Sequence, residues 1–272
     1  MEKPEVDIIM LSHNQTDLTV KCIETLGMAT EDTRFRLIWI DNGSEHAHRL
    51  AVLDKLNELQ INFICHMNDD NWGFPKAVNL GLALSTAPYM VLLNDDVEFR
   101  QVYLNPVKPL PTIKGYEAMP TAPPVPRQNP AVFARMVEHI ERTGAHLAAT
   151  LSTSGWQNRT SLAVESLARD AEDGAVVLPR DHHPAFFCTM LTRHAIQHVG
   201  YLSEAMGEGF GEDDDYNERM EDLALKRLLC LDCHVIHHHR STWKALKTTT
   251  EIAASQAESM KVLQNKYGRQ VW

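Results

Sequence analysis

Two acidic clusters and one run of histidines hold most of the reactive chemistry in this 272-residue chain. The apolar run Tyr89-Met90-Val91-Leu92-Leu93 ends in Asn94-Asp95-Asp96, so paired carboxylates directly follow a buried strand. Carboxylates there could bridge a hard divalent cation to a diphosphate, although two acids after a strand also make an ordinary loop. The second cluster, Glu208 with Glu212-Asp213-Asp214-Asp215, places five acids within eight residues. A solvated charged face is its simplest reading. A calcium loop is disfavoured, because Glu218 stands where that loop needs glycine and Ala224 where it needs a bidentate acid. Farther on, Val235-Ile236 leads into His237-His238-His239-Arg240. In an extended chain His237 and His239 share one face and His238 takes the other, so at least one imidazole could face a site.

The elements that must position these groups alternate in a regular way. Val6 to Leu11 reads as a buried strand ending at Ser12-His13-Asn14, and Leu18, Cys22 and Leu26 mark a helix that Asn14 or Thr16 could cap. Phe35 to Ile40 is a second strand, stopped by the turn Asp41-Asn42-Gly43-Ser44; Ala47, Leu50, Leu53 and Leu56 trace the next helix face. A third strand over Ile61 to Cys65, a helix over Pro75 to Ser85 and the strand before Asn94 complete the first hundred residues. Strand and helix in this rhythm predict right-handed parallel crossovers with helices on both faces, an α/β fold that binds ligands at the carboxyl ends of its strands. Ser12-His13-Asn14, Asp41-Asn42 and Asp95-Asp96 all lie at such ends and should meet in one crevice.

Past residue 100 the pattern changes. Eight prolines fall between Pro106 and Pro130, and we expect a lid or acceptor loop there. Val132, Phe133, Met136, Val137 and Ile140 form a helical stripe, His146 to Leu151 and Phe186 to Leu191 read as strands, Asn217 to Leu228 as a helix, and Leu229 to Ile236 as a last strand. Ile252, Gln256, Met260, Leu263 and Tyr267 predict a closing amphipathic helix packed back on the core.

Bulk composition narrows the function classes. With 44% apolar residues the chain can bury a full core, and 26 Lys+Arg against 36 Asp+Glu leave a net charge of −10, which disfavours a nucleic-acid acceptor without excluding it. There is no apolar run of transmembrane length, and Met1 to Asp7 carry charges and a proline instead of an apolar signal core, so a cytoplasmic location is expected. Five scattered cysteines do not suggest a disulfide framework. Cys230-Leu231-Asp232-Cys233-His234 fits a haem-attachment pattern, and Cys230 and Cys233 with the later histidines could suggest zinc, yet both thiols read better as small apolar residues of a buried strand.

In order, Ser12-His13-Asn14, Asp41-Asn42-Gly43-Ser44, Asn71-Trp72-Gly73-Phe74 with Asn79-Leu80-Gly81, Leu93-Asn94-Asp95-Asp96-Val97, Gly211-Glu212-Asp213-Asp214-Asp215-Tyr216 with Arg219, and His237 resemble the landmarks of family-two glycosyltransferases. The acidic pair followed by x-Asp-Tyr, two dozen residues before a histidine, is most similar to the galactofuranosyl- and rhamnosyltransferase-like branch. The resemblance implies a GT-A fold, a Rossmann-like mixed, mostly parallel sheet with helices on both faces. It also implies an inverting, metal-dependent transfer of a sugar from a nucleotide-diphosphate donor to a glycan, a lipid-linked sugar or another hydroxyl acceptor. Residues 1–100 would be the nucleotide-sugar-binding half, 101–245 the acceptor-binding and catalytic half of the same domain, and 246–272 a C-terminal helix.

Residue by residue, the resemblance implies that Asp96 and His237 hold Mn²⁺ or Mg²⁺, with Asn94 where the family has an aspartate. Asp95 would lie near the ribose or sugar, and Ser12, Asn14, Asp41 and Asn71 in the nucleotide loops. Glu212 and Asp213 would form the catalytic acidic pair, Asp213 being the base and Asp215 its rival. A nucleotidyl- or phosphosugar-transferring enzyme is the first alternative, disfavoured by the lack of a Gly-rich phosphate loop near the N-terminus. A silent nucleotide-sugar-binding protein is the second.

Overall fold

A computed structural model describes residues 5–100, 131–152, 174–180, 182–207, 209–238 and 248–268. Its first half follows the expected alternation: β1 (Val6–Ser12), α1 (Thr16–Ala29), β2 (Phe35–Asn42), α2 (His46–Glu58), β3 (Phe63–Asn68), α3 (Phe74–Leu84) and β4 (Tyr89–Asn94). The second half contains β5 (Val97–Glu98), α4 (Val132–Thr143), β6 (Leu147–Ser152), β7 (Ala175–Val177), β8 (Cys188–Thr192), α5 (Arg193–Val199), a 3₁₀ turn (Glu204–Met206), α6 (Glu212–Asp222), β9 (Arg227–His237) and α7 (Thr249–Tyr267). The proline-rich stretch lies outside the described residues.

The strands form one mixed, mostly parallel sheet in the order β3-β2-β1-β4-β8-β6-β9-β5, with β7 also on β9. Pairing is parallel across β3, β2, β1 and β4, and the antiparallel strand β8 then joins the two halves. Alternation along the central strands sorts their side chains into two cores. Ile8 and Met10 pack with Trp39 beneath α1, α2 and α4; Ile9 and Ile40 pack on the other face with Ala77 and Leu82 of α3 and Tyr216 of α6. Burial on both faces is why β1 reads as an unbroken apolar run.

Four local readings shift. Helix α6 starts at Glu212, not Asn217, because Gly211 takes a left-handed conformation and the four acids fill the first turn. Strand β9 therefore starts earlier, at Arg227. In α2 the buried face is His48, Val52 and Leu56 while Leu50 is exposed, and in α7 Met260 is exposed. Neither Asn14 nor Thr16 caps α1: Gln15 occupies that place, and the Asn14 side chain turns to the backbone N–H of Glu45. The short strands β5 and β7 have no sequence signal.

Cys230 and Cys233 are fully buried in the core beside α4, as small apolar residues of β9 would be. After Cys230, β9 carries three extra residues relative to β6, since Thr150 pairs with Cys230 and Leu151 with His234. Asp232 in that bulge accepts from His139 Nε2 at 3.0 Å.

The turn after β2 depends on Gly43. Its φ is +79°, and a Cβ there would sit 2.5 Å from the carbonyl carbon of Asp70, inside contact distance of the loop that leads to α3. Gly43→Ala is expected to cost about 1–3 kcal/mol, read as a lowered denaturant midpoint with an unchanged m-value. A midpoint equal to the parent's would show that the two loops do not meet this closely.

Candidate active site

Parallel register delivers the first loops to one edge. Ser12 stands opposite Asp41, Leu11 opposite Asn94, and Asn42 opposite Asn68. Ser12 is buried, with its hydroxyl accepting from Trp39 Nε1 at 2.9 Å and bonded to His48 Nε2 at 3.0 Å. Asn14, exposed at φ +54°, donates its backbone N–H to Ser44 Oγ and accepts from Glu45 N–H, which ties the first loop to the second. Asn71 Oδ1 accepts from Asn42 Nδ2 at 2.7 Å and from the Gly73 N–H at 2.9 Å, shaping the approach to α3. Asp41 is fully buried. Its Oδ2 accepts from Arg49 Nε at 2.6 Å, while its Oδ1 is buried without a hydrogen-bond partner, an acceptor left for a ligand donor.

The fourth strand brings the first acids. Asp95 and Asp96 turn the chain into β5, and this two-residue strand pairs antiparallel with the end of β9, Val97 opposite His237. The backbone N–H of His238 donates to the Asp96 carbonyl at 3.0 Å. This pairing places His237 Nε2 3.2 Å from Asp96 Oδ1, while the Phe187 ring stacks on the imidazole at 4.6 Å. His238 points the other way and is 40% exposed, as alternation requires; His239 lies outside the described residues. Asn94 Nδ2 is 3.4 Å from His237 Nε2, and Asn94 Oδ1 is buried without a hydrogen-bond partner. A buried carboxylate and an imidazole 3.2 Å apart suit Mn²⁺ or Mg²⁺, so Asp96 and His237 fit the divalent ion that the resemblance implies. Asp95 turns inward, where its Oδ2 accepts from Thr19 Oγ1 at 2.7 Å; burial, then the neighbouring Asp96 charge, push its carboxyl up to about 8.

The four acids at the start of α6 go four ways. Glu212 Oε2 accepts from the Phe210 N–H at 2.6 Å, and Asp213 Oδ1 from the Asp214 N–H at 3.0 Å. Burial pushes Glu212 up to about 7 and raises Asp213 well above the usual carboxylate range, with the Asp214 charge adding to both. Asp214 faces His183 Nδ1 at 3.2 Å. Asp215 is fully buried and accepts from Arg219 Nε at 2.9 Å, from the Tyr267 hydroxyl at 2.8 Å, and from Lys266. It fastens α7 to α6 through both of its oxygens, so of the two rival bases only Asp213 is free of such a clamp. Gly209, beside Glu212, packs against Phe74 at the start of α3, which brings the acidic helix to the loop that Asn71 and Asn42 organise.

Sequence reasoning passed over His48, Arg49, Thr19 and His183. The first two sit on α2, whose apolar pattern pointed to a different face, and Thr19 looks like any helical threonine.

Residues 7–108 match the model of glycosyl transferase family 2. No curated protein sequence matches the chain significantly. Among solved structures the fold is similar to a mannosyltransferase, PcManGT from Pyrobaculum calidifontis, in complex with GDP-Man and Mn²⁺, with a TM-score of 0.63 at 10% identity over 97% of this chain. It is likewise similar to residues 1–349 of TarS from S. aureus in complex with UDP-GlcNAc, with a TM-score of 0.62 at 10% identity over 96% of this chain. The chain spans 65% of the first and 66% of the second. At this identity the structures show the GT-A fold, and the family-two match is confined to residues 7–108. No helix among the described residues is long and apolar enough to cross a membrane.

The acids separate by their stability effects. Asp215→Ala leaves Lys266 and Arg219 without their buried partner and should cost about 3–5 kcal/mol in thermal or denaturant unfolding, whereas Asp213→Asn should not destabilise. The reverse order would exchange their roles. Glu212 is raised from 4.5 to about 7, so the stability tied to its protonation is full below 4.5 and lost as pH rises through 7. In metal-free protein the unfolding midpoint of Glu212→Gln should therefore overtake the parent's between pH 5 and pH 8. Parallel pH curves for the two proteins would refute the burial of this carboxyl.

Proposed function

We propose that the protein is an inverting, metal-dependent glycosyltransferase that moves a sugar from a nucleotide-diphosphate donor to a hydroxyl acceptor, a glycan, a lipid-linked sugar or another alcohol. The carrying observation is the placement of His237 3.2 Å from Asp96, made by β5 pairing with β9 at the edge where the nucleotide loops also end. The donor complexes of the mannosyltransferase and TarS are consistent with a nucleotide-sugar ligand. The x-Asp-Tyr pattern and the interval to His237 support the galactofuranosyl- and rhamnosyltransferase-like branch.

In this reading residues 1–100 bind the donor, 101–245 bind the acceptor and carry the base, and 246–272 brace them. Asp41 takes a base or ribose donor on its vacant Oδ1. Ser12, Asn14 and Asn71 hold the loops around the nucleotide, and Asp95 keeps α1 against the acidic turn. Asp96 and His237 would hold Mn²⁺ or Mg²⁺, which would neutralise charge on the departing diphosphate. Asp213, with Glu212 beside it, takes the acceptor proton as the oxygen attacks the anomeric carbon and the diphosphate leaves from the opposite side. Burial raises the proton affinity of both carboxyls, as a group that takes up a proton requires. One displacement inverts the sugar configuration.

A panel of nucleotide sugars with Mn²⁺, read by release of nucleoside diphosphate, tests the class; release of pyrophosphate instead would mean nucleotidyl transfer. Asp213→Asn should lower turnover about 10²–10⁴-fold while donor binding changes only a few-fold. Full turnover in that variant would remove Asp213 as the base. His237→Ala should raise the Mn²⁺ concentration required for half-maximal rate, and an unchanged requirement would place the metal elsewhere.

A further inference from the structure

Apart from the crevice, a second cluster of ligating side chains lies where the segment before β8 crosses α6. We propose that His183, Glu218 and Glu221 form a second metal site, for a divalent transition ion of the zinc class, that fastens this segment to the acidic helix. One ligand atom from each lies within 4.8 Å of the others. The His183 side chain is only 8% exposed. Its Nδ1 faces Asp214 Oδ1 at 3.2 Å, which fixes the tautomer with the proton on Nδ1 and leaves a lone pair on Nε2. A carboxylate behind a histidine in this way is the usual outer support of a metal-bound imidazole.

That lone pair aims between two carboxylates. Nε2 is 3.4 Å from Glu221 Oε1 and 3.8 Å from Glu218 Oε1, yet it makes no hydrogen bond. A buried ring nitrogen set between two carboxylates and bonded to neither leaves a place for a cation between them. Ligands about 2.0 Å from tetrahedral zinc lie ~3.3 Å apart, and the 3.4 Å separation of Nε2 from Glu221 Oε1 already meets that edge. Glu218 Oε1, at 3.8 Å from Nε2, has to draw in to complete the set.

Charge agrees with this. Glu221 is held by the buried Arg227 and by Arg180, and Asp214 and Glu218 bring their carboxylates to the two nitrogens of His183. Glu218 and Glu221 are three residues apart on one face of α6, and the histidine comes from the crossing chain, so an ion would join two elements. Asn217 Nδ2 donates to the Pro184 carbonyl at 3.1 Å beside it, and the ion would complete the same seam under Asp213. Imidazole with two carboxylates binds zinc more tightly than manganese.

The test uses the full chain, stripped with a chelator and dialysed against Zn²⁺, and needs no sugar donor, so it stands apart from transfer activity. The Asp96→Asn/His237→Ala double variant should retain one Zn²⁺ per chain. Adding His183→Ala, or the isosteric Glu218→Gln, should weaken binding at least tenfold and abolish the visible bands of the Co²⁺-substituted protein. Failure of the double variant to bind Zn²⁺ would overturn the proposal, as would undiminished binding in both the His183→Ala and Glu218→Gln backgrounds.

Discussion

The carboxyl edge gathers Ser12, Asp41 and Asn94 because β1 is paired in parallel with β2 on one side and β4 on the other, and a one-residue slip in either pairing would scatter them. A buried carboxylate at the opposite end secures that register. Asp7 stands across from Arg36 and Met90 in the two ladders, and accepts two bonds from Arg36 at 2.9 Å each, one from Ser85 Oγ, and one each from the Thr86 and Ala87 N–H groups. Burial opposes its ionisation, but these donors outweigh it and hold the carboxyl below its usual range. Residues from β1, β2 and the approach to β4 converge on this one side chain. Seven residues of parallel ladder then carry the register from Val6 to Ser12.

The opposite edge spends stability to gather charge. Asp95 and Glu212 are both pushed toward the neutral range by burial, and Asp213 rises with them. Such groups are poorly solvated until a cation or a proton acceptor's substrate arrives, which is the usual condition of a site built to act on a charged ligand. The cost is offset where the acids are structural. Asp215 meets Arg219, Lys266 and Tyr267, Glu221 meets Arg227, and Asp41 meets Arg49. The same short stretch of α6 thus supplies a clamp for α7, a support for His183 and the candidate base, because successive helical residues point about 100° apart.

Sequence reading reached the architecture of the first hundred residues and the convergence of Ser12, Asp41 and Asp96, since apolar runs ending in polar turns are a direct consequence of buried parallel strands. Its errors cluster where tertiary contacts override local pattern. The four acids read as a solvated charged face ahead of a helix from Asn217, yet a left-handed Gly211 lets them open that helix, where the N-terminal dipole welcomes negative charge. Leu50 fits a helical stripe, but α2 turns His48 inward because Ser12 and Thr16 bond its two ring nitrogens. Asp96 and His237 meet through a strand of only two residues, a pairing between positions 140 apart that no local propensity encodes. The clamp on Asp215 was similarly hidden, because it depends on α7 returning to cover that residue.

The central claim is that the carboxyl edge is a single site in which Asp96 couples a divalent ion to a nucleotide diphosphate. Calorimetric titration of nucleoside diphosphate into the metal-free chain, repeated with saturating Mn²⁺, measures that coupling without any acceptor. The account predicts that Mn²⁺ tightens diphosphate binding at least tenfold and that Asp96→Asn removes this gain while leaving the weaker metal-free binding in place. Equal affinities with and without Mn²⁺, or a full metal effect in Asp96→Asn, would contradict it.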